Sequence, residues 1–345
     1  MKKYNVGIIG ATGMVGQRFA LLLHNHPWFN VSALAASSNS ADKKYTDAIG
    51  SRWAMKEPIP ENLRDMTVFD AERDIDKITE RVDFVFCAVN MKKDEIKSLE
   101  EKYAKHECPV VSNNSAHRFT PDVPMIIPEI NAGHLEIIPA QRKRLDTKRG
   151  FIAVKSNCSL QSYVPALYPL DEKFGVERVL VSTYQAISGA GKTFERWPEM
   201  IDNVIPFIGG EEEKSEKEPL KIWGKIENGE IVPAESPKFT AQCIRVPVSD
   251  GHLASVFVDF KKKPTKEEYG QTIRASRKRS PCRTRPSNFY IITPRTICRK
   301  PDFAEILRAV WQYPSGACAR IRSMITSLSA YRTIPCAALR AARCF

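Results

Sequence analysis

The chain has 345 residues, which at about 150 residues per domain implies two domains. A 43% hydrophobic fraction fills a packed core and excludes a disordered chain, and apolar runs such as FVFCAV are far short of the ~20 residues that span a bilayer. A net charge of +12 invites a nucleic-acid partner, unless the charges prove to be gathered in one segment.

The N-terminal segment passes from Met-Lys-Lys-Tyr straight into a strand-like NVGIIG with no long apolar leader, so a cytoplasmic location is expected. YNVGII reads as a buried strand, GATGMVGQ breaks it, and RFALLLHNH reads as a helix. Strand, glycine turn and helix open a dinucleotide-binding unit. Gly10, Gly13 and Gly16 have the spacing G-x-x-G-x-x-G, which permits a tight turn and leaves helix-start N–H groups facing a pyrophosphate. The same spacing also serves a tight turn that binds nothing. A second strand, FNVSALAA, ends in Ser37, Ser38, Asn39 and Ser40, where an NAD site would place Asp or Glu. Hydroxyls followed by Lys43 and Lys44 suit a 2′-phosphate and favour NADP over a merely solvated loop.

DFVFCAVN and PVVSNNSAHR read as further buried strands ending in polar loops that carry Asn90, Asn114 and Arg118. Such alternation predicts a parallel, doubly wound sheet with its ligands at the carboxyl ends of the strands. Arg118 is a candidate for bidentate capture of a phosphate or carboxylate, or else an ordinary surface arginine.

FIAVKSNCSLQSY runs a strand into Cys158 with an apolar helix after it, a place where the helix dipole favours a thiolate. Of the six histidines, His252, after a Ser-Asp-Gly turn, is the best candidate base. Cysteine plus histidine on a nucleotide-binding scaffold points to aldehyde oxidation through a thioester. Spacing alone leaves a structural role open for each. Cys87, Cys108, Cys158 and Cys243 have no metal-ligand spacing, so neither zinc nor a disulfide framework is expected.

GATGMVGQ, VSNNSAHR, IPEIN, QRKR, SNCS, TYQAISGAG, NVIPFIGGEEEK and RVPVSDGH, in this order, make residues 3–268 resemble the aspartate-β-semialdehyde dehydrogenases, most closely the archaeal and fungal branch. The resemblance implies an α/β chain: a Rossmann-type NADP domain over 1–150, then an α+β catalytic and dimerisation domain over 151–268 of the glyceraldehyde-3-phosphate-dehydrogenase type. It implies Cys158 as nucleophile, His252 as general acid/base and Gln185 orienting the reacting carbonyl or water. Arg245 would clamp the substrate carboxylate, Glu211 would meet its ammonium, and Lys214, Arg118 and Asn114 would surround inorganic phosphate. Gly10, Thr12, Gly13, Met14, Val15, Gly16, Ser37 and Ser38 would hold NADP, with Ser188, Gly189 and Gly191 on the nicotinamide side. The reaction implied is reversible reduction of aspartyl phosphate to aspartate semialdehyde by a homodimer or homotetramer, in the biosynthesis of lysine (through diaminopimelate), threonine and methionine. Malonyl-CoA reductase and N-acetyl-γ-glutamyl-phosphate reductase share the scaffold and are the alternatives.

From about Tyr269 the resemblance stops. Residues 269–345 hold fifteen of the 52 Lys and Arg but two of the 40 Asp and Glu, and five of the nine cysteines. The basicity therefore belongs to this tail, and without patterned aromatic-basic motifs a nucleic-acid-binding role is not expected. A shifted reading frame accounts for the tail better. In one choice of synonymous codons for Arg332 to Phe345, the third letter of each codon joined to the first two of the next spells His-Asn-Thr-Met-Arg-Gly-Ala-Ala-Gly-Gly-Ala-Val-Leu. That contains the closing motif of the family. The loss of native sequence here predicts an open sheet edge, an unfilled core, and a poorly folded, weakly active chain.

Overall fold

The computed structural model describes residues 3–276 and the backbone of 322–327. Seven strands form the first sheet: β1 (Tyr4–Ile9), β2 (Phe29–Ala36), β3 (Val68–Asp70), β4 (Phe84–Cys87), β5 (Val110–Ser112), β6 (Met125–Ile126) and β7 (Ile152–Lys155). Their order is β3-β2-β1-β4-β5-β7-β6, and every pairing is parallel. Strands covered on both faces must be apolar throughout, and β4 and β7 are buried at every position. On one face Phe19, from the helix Met14–Leu23, stacks on Phe86 with ring centroids 4.8 Å apart. On the other, Leu99 and Tyr103 of the helix Lys93–Lys105 join Ile9, Val85 and Cys87 in the core. The chain runs from β1 to β2 on one side and returns to β4 on the other, so the switch point lies between β1 and β4. The doubly wound sheet is as expected, although it takes in β7, a few residues past the anticipated boundary at 150.

The second unit holds β8 (Val176–Gln185), a hairpin of β9 (Lys225–Glu227) and β10 (Glu230–Val232), then β11 (Lys238–Arg245), β12 (His252–Phe260) and β13 (Arg322–Ser327). A four-stranded sheet runs β11-β8-β12-β13. β11 lies parallel to β8, which sets Arg245 beside Gln185; β12 lies antiparallel to β8, which sets His252 beside the same Gln185. Val179, Val181, Ala254 and Val256 of this sheet share one core with Val110, Ile152 and Val154 of the first. The two sheets are thus joined through a common apolar layer, the helix Val164–Phe174 contributing Leu167, Leu170 and Phe174 to it.

Two features depart from what the tail implies. The helix Lys266–Ser276 continues through position 269 and buries Tyr269, Gly270 and Ile273, because its apolar spacing still faces the core. Packed structure therefore extends beyond the expected break, to Ser276. The edge of β12, expected to be open, is paired antiparallel with β13 from His252↔Ser327 to Phe257↔Arg322. The residues that carry the shifted-frame reading lie, apart from that strand's backbone, outside the described residues. No helix among the described residues is long and apolar enough to cross a membrane.

Candidate active site

The carboxyl end of β7 delivers the turn Ser156-Asn157-Cys158, which faces the switch point of the first sheet and the Gln185 end of the second. Here a cleft is lined by Met14, Val15, Arg18, Asn113, Ser115, Arg118, Lys155, Asn157, Cys158, Ser188, Gly189, Glu211, Lys214, Gly251 and His252. Cys158 Sγ lies 3.2 Å from His252 Nε2. Burial pushes the thiol up, but the charge of His252, the hydrogen bond to it and the charge of Lys155 outweigh this and bring it down to about 7. Burial likewise works against the imidazolium, yet Cys158 and the Gly251 carbonyl prevail and raise His252 above its ordinary value. The other ring nitrogen, Nδ1, has two neighbours: the Ala186 N–H donates to it at 3.1 Å, and the Gly251 carbonyl oxygen lies 3.0 Å away. One neighbour suits the neutral tautomer with its proton toward Cys158, the other the imidazolium.

The expected helix-dipole assistance to Cys158 is not what the structure builds. A short 3₁₀ turn, Leu160–Ser162, separates the cysteine from the helix that begins at Val164. The thiol owes its ionisation to His252 and Lys155 instead.

Glu211 opens the helix Glu211–Ile222. Its Oε1 accepts from Lys214 Nζ at 2.7 Å, and its Oε2 accepts from Asn157 Nδ2 at 2.8 Å and Gln185 Nε2 at 3.4 Å. Burial opposes the carboxylate, and these donors overcome it and hold its pKa below the usual range. Gln185 is buried and spends its amide nitrogen on Thr183 and Glu211, so it backs the acidic group rather than lining the cleft at the thiol. Arg245 is also buried, its Nη1 donating to the Ala186 carbonyl at 2.7 Å. A Cβ on Gly189 would sit 2.9 Å from both Arg245 Nη1 and His252 Cε1. Only glycine lets this backbone pass so close to both side chains.

Asn114 does not reach the cleft. Its amide donates inward to Glu100 Oε1 at 2.9 Å and to Cys87 Sγ at 3.4 Å. Its neighbours Asn113 and Ser115 line the cleft in its place, and Asn113 Oδ1 is buried without a hydrogen-bond partner. Arg118 is brought to the cleft, but its Nη1 is tied to Glu218 Oε1 at 2.8 Å and its Nε to the Lys155 carbonyl at 2.9 Å. Glu218 Oε2 also accepts the Asn157 N–H at 2.6 Å, so one buried carboxylate holds both the arginine and the turn that carries Cys158. Lys221, one helical turn on, donates to the carbonyls of Arg118, Thr120 and Val123 at 2.7–2.8 Å. Sequence reasoning missed Lys155, Glu218 and Lys221. The 3- and 4-residue steps from Glu211 to Lys214, Glu218 and Lys221 were the available signal, since they mark one helix face.

The glycine turn fits a dinucleotide phosphate. Gly10 has φ +88°, and a Cβ there would meet the Ala88 carbonyl at 2.4 Å; one on Gly16 would meet the Gly10 carbonyl at 2.2 Å. Gly13 caps the helix Met14–Leu23, whose first turn carries no acidic residue to repel a phosphate. Met14 and Val15 line the cleft, while Thr12 sits at the turn with its carbonyl taken by Gln17 Nε2. Ser37 and Ser38 are exposed just past β2, as a ribose-phosphate site requires. Lys43 Nζ is held by the Asn39 carbonyl, whereas Lys44 is paired with Asp65. Ser188 and Gly189 face the cleft, but Gly191, with φ +69°, closes the following turn and does not line it.

A parallel doubly wound sheet with a glycine turn, opening on a thiol–imidazole pair formed between Cys158 just after β7 and His252 of the second sheet, is the arrangement of a nucleotide-dependent dehydrogenase. The family is then settled by comparison. Residues 5–138 match the model of the semialdehyde dehydrogenase NAD-binding domain, and residues 167–282 that of the semialdehyde dehydrogenase dimerisation domain. The aspartate-semialdehyde dehydrogenase of Methanothermobacter thermautotrophicus is 43% identical over 256 residues, covering 74% of this chain and 71% of the relative. That of Aspergillus fumigatus is 41% identical over 277 residues, covering 79% and 74%. The crystal structure of the Candida albicans enzyme with NADP superposes with a TM-score of 0.84 at 31% identity, covering 99% of this chain and 98% of that one. The chain belongs to the aspartate-semialdehyde dehydrogenase family.

Proposed function

We propose that this protein is an NADP-dependent aspartate-semialdehyde dehydrogenase, interconverting aspartate semialdehyde plus phosphate with aspartyl phosphate. The observation that carries the reading is the 3.2 Å approach of Cys158 to His252 in a cleft shared with the glycine-turn residues Met14 and Val15. In the oxidative direction the Cys158 thiolate attacks the aldehyde carbon, forming the C–S bond, and His252 gives its proton to the resulting oxyanion. When that hydroxyl later surrenders its proton as hydride departs, His252 takes it back, and a thioester remains. NADP, when bound, accepts this hydride, or supplies it in the biosynthetic direction. Phosphate then attacks the thioester carbon and the C–S bond breaks, returning Cys158 as thiolate.

The substrate's carboxylate and ammonium call for a cation and an anion on opposite sides of the thiol. Arg245 and Glu211 supply them, with Gln185 and Asn157 holding Glu211 in place. Arg118 and Lys214, with Asn113 and Ser115 in the position expected of Asn114, form the phosphate side. Gly10, Gly13 and Gly16 with Ser37 and Ser38 would hold the dinucleotide. The dimerisation-domain match supports an oligomer, and we place the enzyme as a homodimer or homotetramer in the cytoplasm.

The test is phosphate-dependent formation of NADPH from aspartate semialdehyde. Turnover with this substrate and not with N-acetylglutamate semialdehyde is expected, since a free ammonium is what Glu211 recognises. CoA-dependent turnover of malonate semialdehyde in its place would overturn the reading.

A further inference from the structure

Four cations line the cleft: Arg18 on the helix after the glycine turn, Arg118 paired with Glu218 at 2.8 Å, Lys214 paired with Glu211 at 2.7 Å, and Lys155. Lys155 is the last residue of β7, 3% exposed and three positions ahead of Cys158. Its ammonium donates to the carbonyl of the adjacent Ser156 at 2.8 Å and forms no ion pair among the described residues. A buried ammonium without a counter-ion is strongly disfavoured unless something in its surroundings repays the desolvation. Two anions share its cleft: Glu211, already paired with Lys214, and the Cys158 thiolate three positions along the chain.

We propose that Lys155 is a positioning residue for the reaction, its ammonium supplying a second, non-transferable positive charge that keeps Cys158 ionised whichever protonation state His252 holds. The inference rests on Cys158 being the nucleophile. His252 cannot fill this role alone, because an acid/base group alternates between charged and neutral forms as it passes its proton. Lys155 has no proton to pass in the reaction, and its charge is constant.

The mutual influence of the two groups agrees with the geometry. Burial drives Lys155 down to about 8, and the charge of Cys158 is the largest influence opposing that fall; Arg118 adds to the fall, while Glu218 and Glu211 resist it. Lys155 in turn lowers Cys158, beside His252 and against Glu211. Lys155 therefore remains protonated at neutral pH, where the thiolate needs it.

The experiment titrates Cys158 in the full chain by its rate of alkylation with iodoacetamide against pH, the modified residue being identified by mass spectrometry. Wild type is expected to show an inflection at about 7. In Lys155→Met it moves up by about one unit, the lower end of what a nearby opposite charge confers. Turnover at pH 7 then falls about fivefold, in step with the thiolate fraction. Lys155→Arg keeps the charge and restores most of the shift. KM for phosphate changes less than about twofold, since the effect is on the thiol. Should Lys155→Met not fold, His252→Asn serves: with the imidazole gone and Lys155 present, the thiol still titrates at or below the ordinary ~8.5 despite its burial. An unshifted thiol in Lys155→Met with a raised phosphate KM would make Lys155 a phosphate ligand and overturn the proposal. So would an unshifted thiol with unchanged kinetics, or an inflection well above 8.5 in His252→Asn. The functional reading fails separately, by surviving turnover in Cys158→Ser, whatever Lys155 does.

Discussion

Replacing Gly189 with alanine tests the claim that catalysis depends on the exact seat of the His252 ring. The new methyl carbon would lie 2.9 Å from His252 Cε1, 3.1 Å from its Nε2 and 2.9 Å from Arg245 Nη1. Ordinary carbon contacts begin near 3.5 Å, so about half an ångström must be recovered by movement. The imidazole is held between Cys158 and the Ala186 N–H, and Arg245 Nη1 is tied to the Ala186 carbonyl. The relief therefore comes out of the 3.2 Å thiol–imidazole contact or out of the arginine's aim. A displacement of this order in a reacting group costs up to ~100-fold, and loss of the acid/base partner altogether about 100- to 10,000-fold. The turnover rate, followed as the initial rate of phosphate-dependent NADPH formation, should therefore drop by roughly one to two orders of magnitude. The alkylation inflection of Cys158 should rise from about 7 in the same variant. Folding stability should fall by about 1–3 kcal/mol, the usual cost of forcing a methyl against packed side chains. A variant that turns over within about threefold of wild type, with the same thiol titration, would refute the reasoning.

Other outcomes follow from the same geometry. Glu218→Gln leaves Arg118 buried opposite a neutral amide and should cost about 3 kcal/mol in urea unfolding, by the usual scale for breaking one side of a buried pair. Gly16→Ala drives a methyl onto the Gly10 carbonyl and the Ala11 backbone, so NADP affinity measured by fluorescence titration should fall at least about tenfold while Cys158 still reacts with iodoacetamide. The pH dependence has a definite sign. A thiol lowered to about 7 contributes stability that is present above its unfolded value near ~8.5 and is lost as pH falls through 7. The raised His252 contributes stability that is full below about 6.5 and is lost as pH rises through its elevated value. Around pH 7–8 the two slopes oppose each other, so thermal unfolding of wild type should be nearly flat with pH there, and a steep slope of either sign would count against the pair.

The parts of this molecule that were legible in its sequence are those in which one residue type has one physical use. Gly10 and Gly16 could be read because no side chain fits where they sit, and β4 and β7 because an unbroken apolar run has no other home than a covered sheet. The pairing of Cys158 with His252 could be named as chemistry, but 94 positions separate them, and they meet only because β12 sets His252 beside Gln185. Asn113 and Asn114 show the opposite case. They are identical, adjacent and on a loop, and which one faces the cleft depends on Glu100 and Cys87 drawing Asn114 inward. Lys155 was invisible because a lysine ending a buried strand ordinarily marks the point where the strand meets water; here its ammonium is buried on the Ser156 carbonyl, in the cleft it shares with Cys158.

The helix Glu211–Ile222 shows how the site is assembled from ordinary helical spacing. Read as a run of like charges, Glu-Glu-Glu-Lys describes a solvated face, and Glu213 does pair with Lys217 in solvent. The other face carries Glu211, Lys214, Glu218 and Lys221, two carboxylates and two ammonium groups along one side of the helix. Each meets a different partner: Glu211 the Asn157 side chain and Lys214, Glu218 the Asn157 backbone and Arg118, Lys221 the carbonyls of Arg118, Thr120 and Val123. The loop that carries Arg118 comes from the first domain and the helix from the second. The helix thus fixes the Arg118 loop to the turn that carries Cys158 across the domain boundary. Buried ion pairs contribute little net stability and cost much when broken, so such a cluster does more to fix one geometry than to hold the fold together. Arg118 and Lys214 each have a carboxylate partner in this cluster, whereas Lys155, in the same cleft as the sulfur, has none among the described residues.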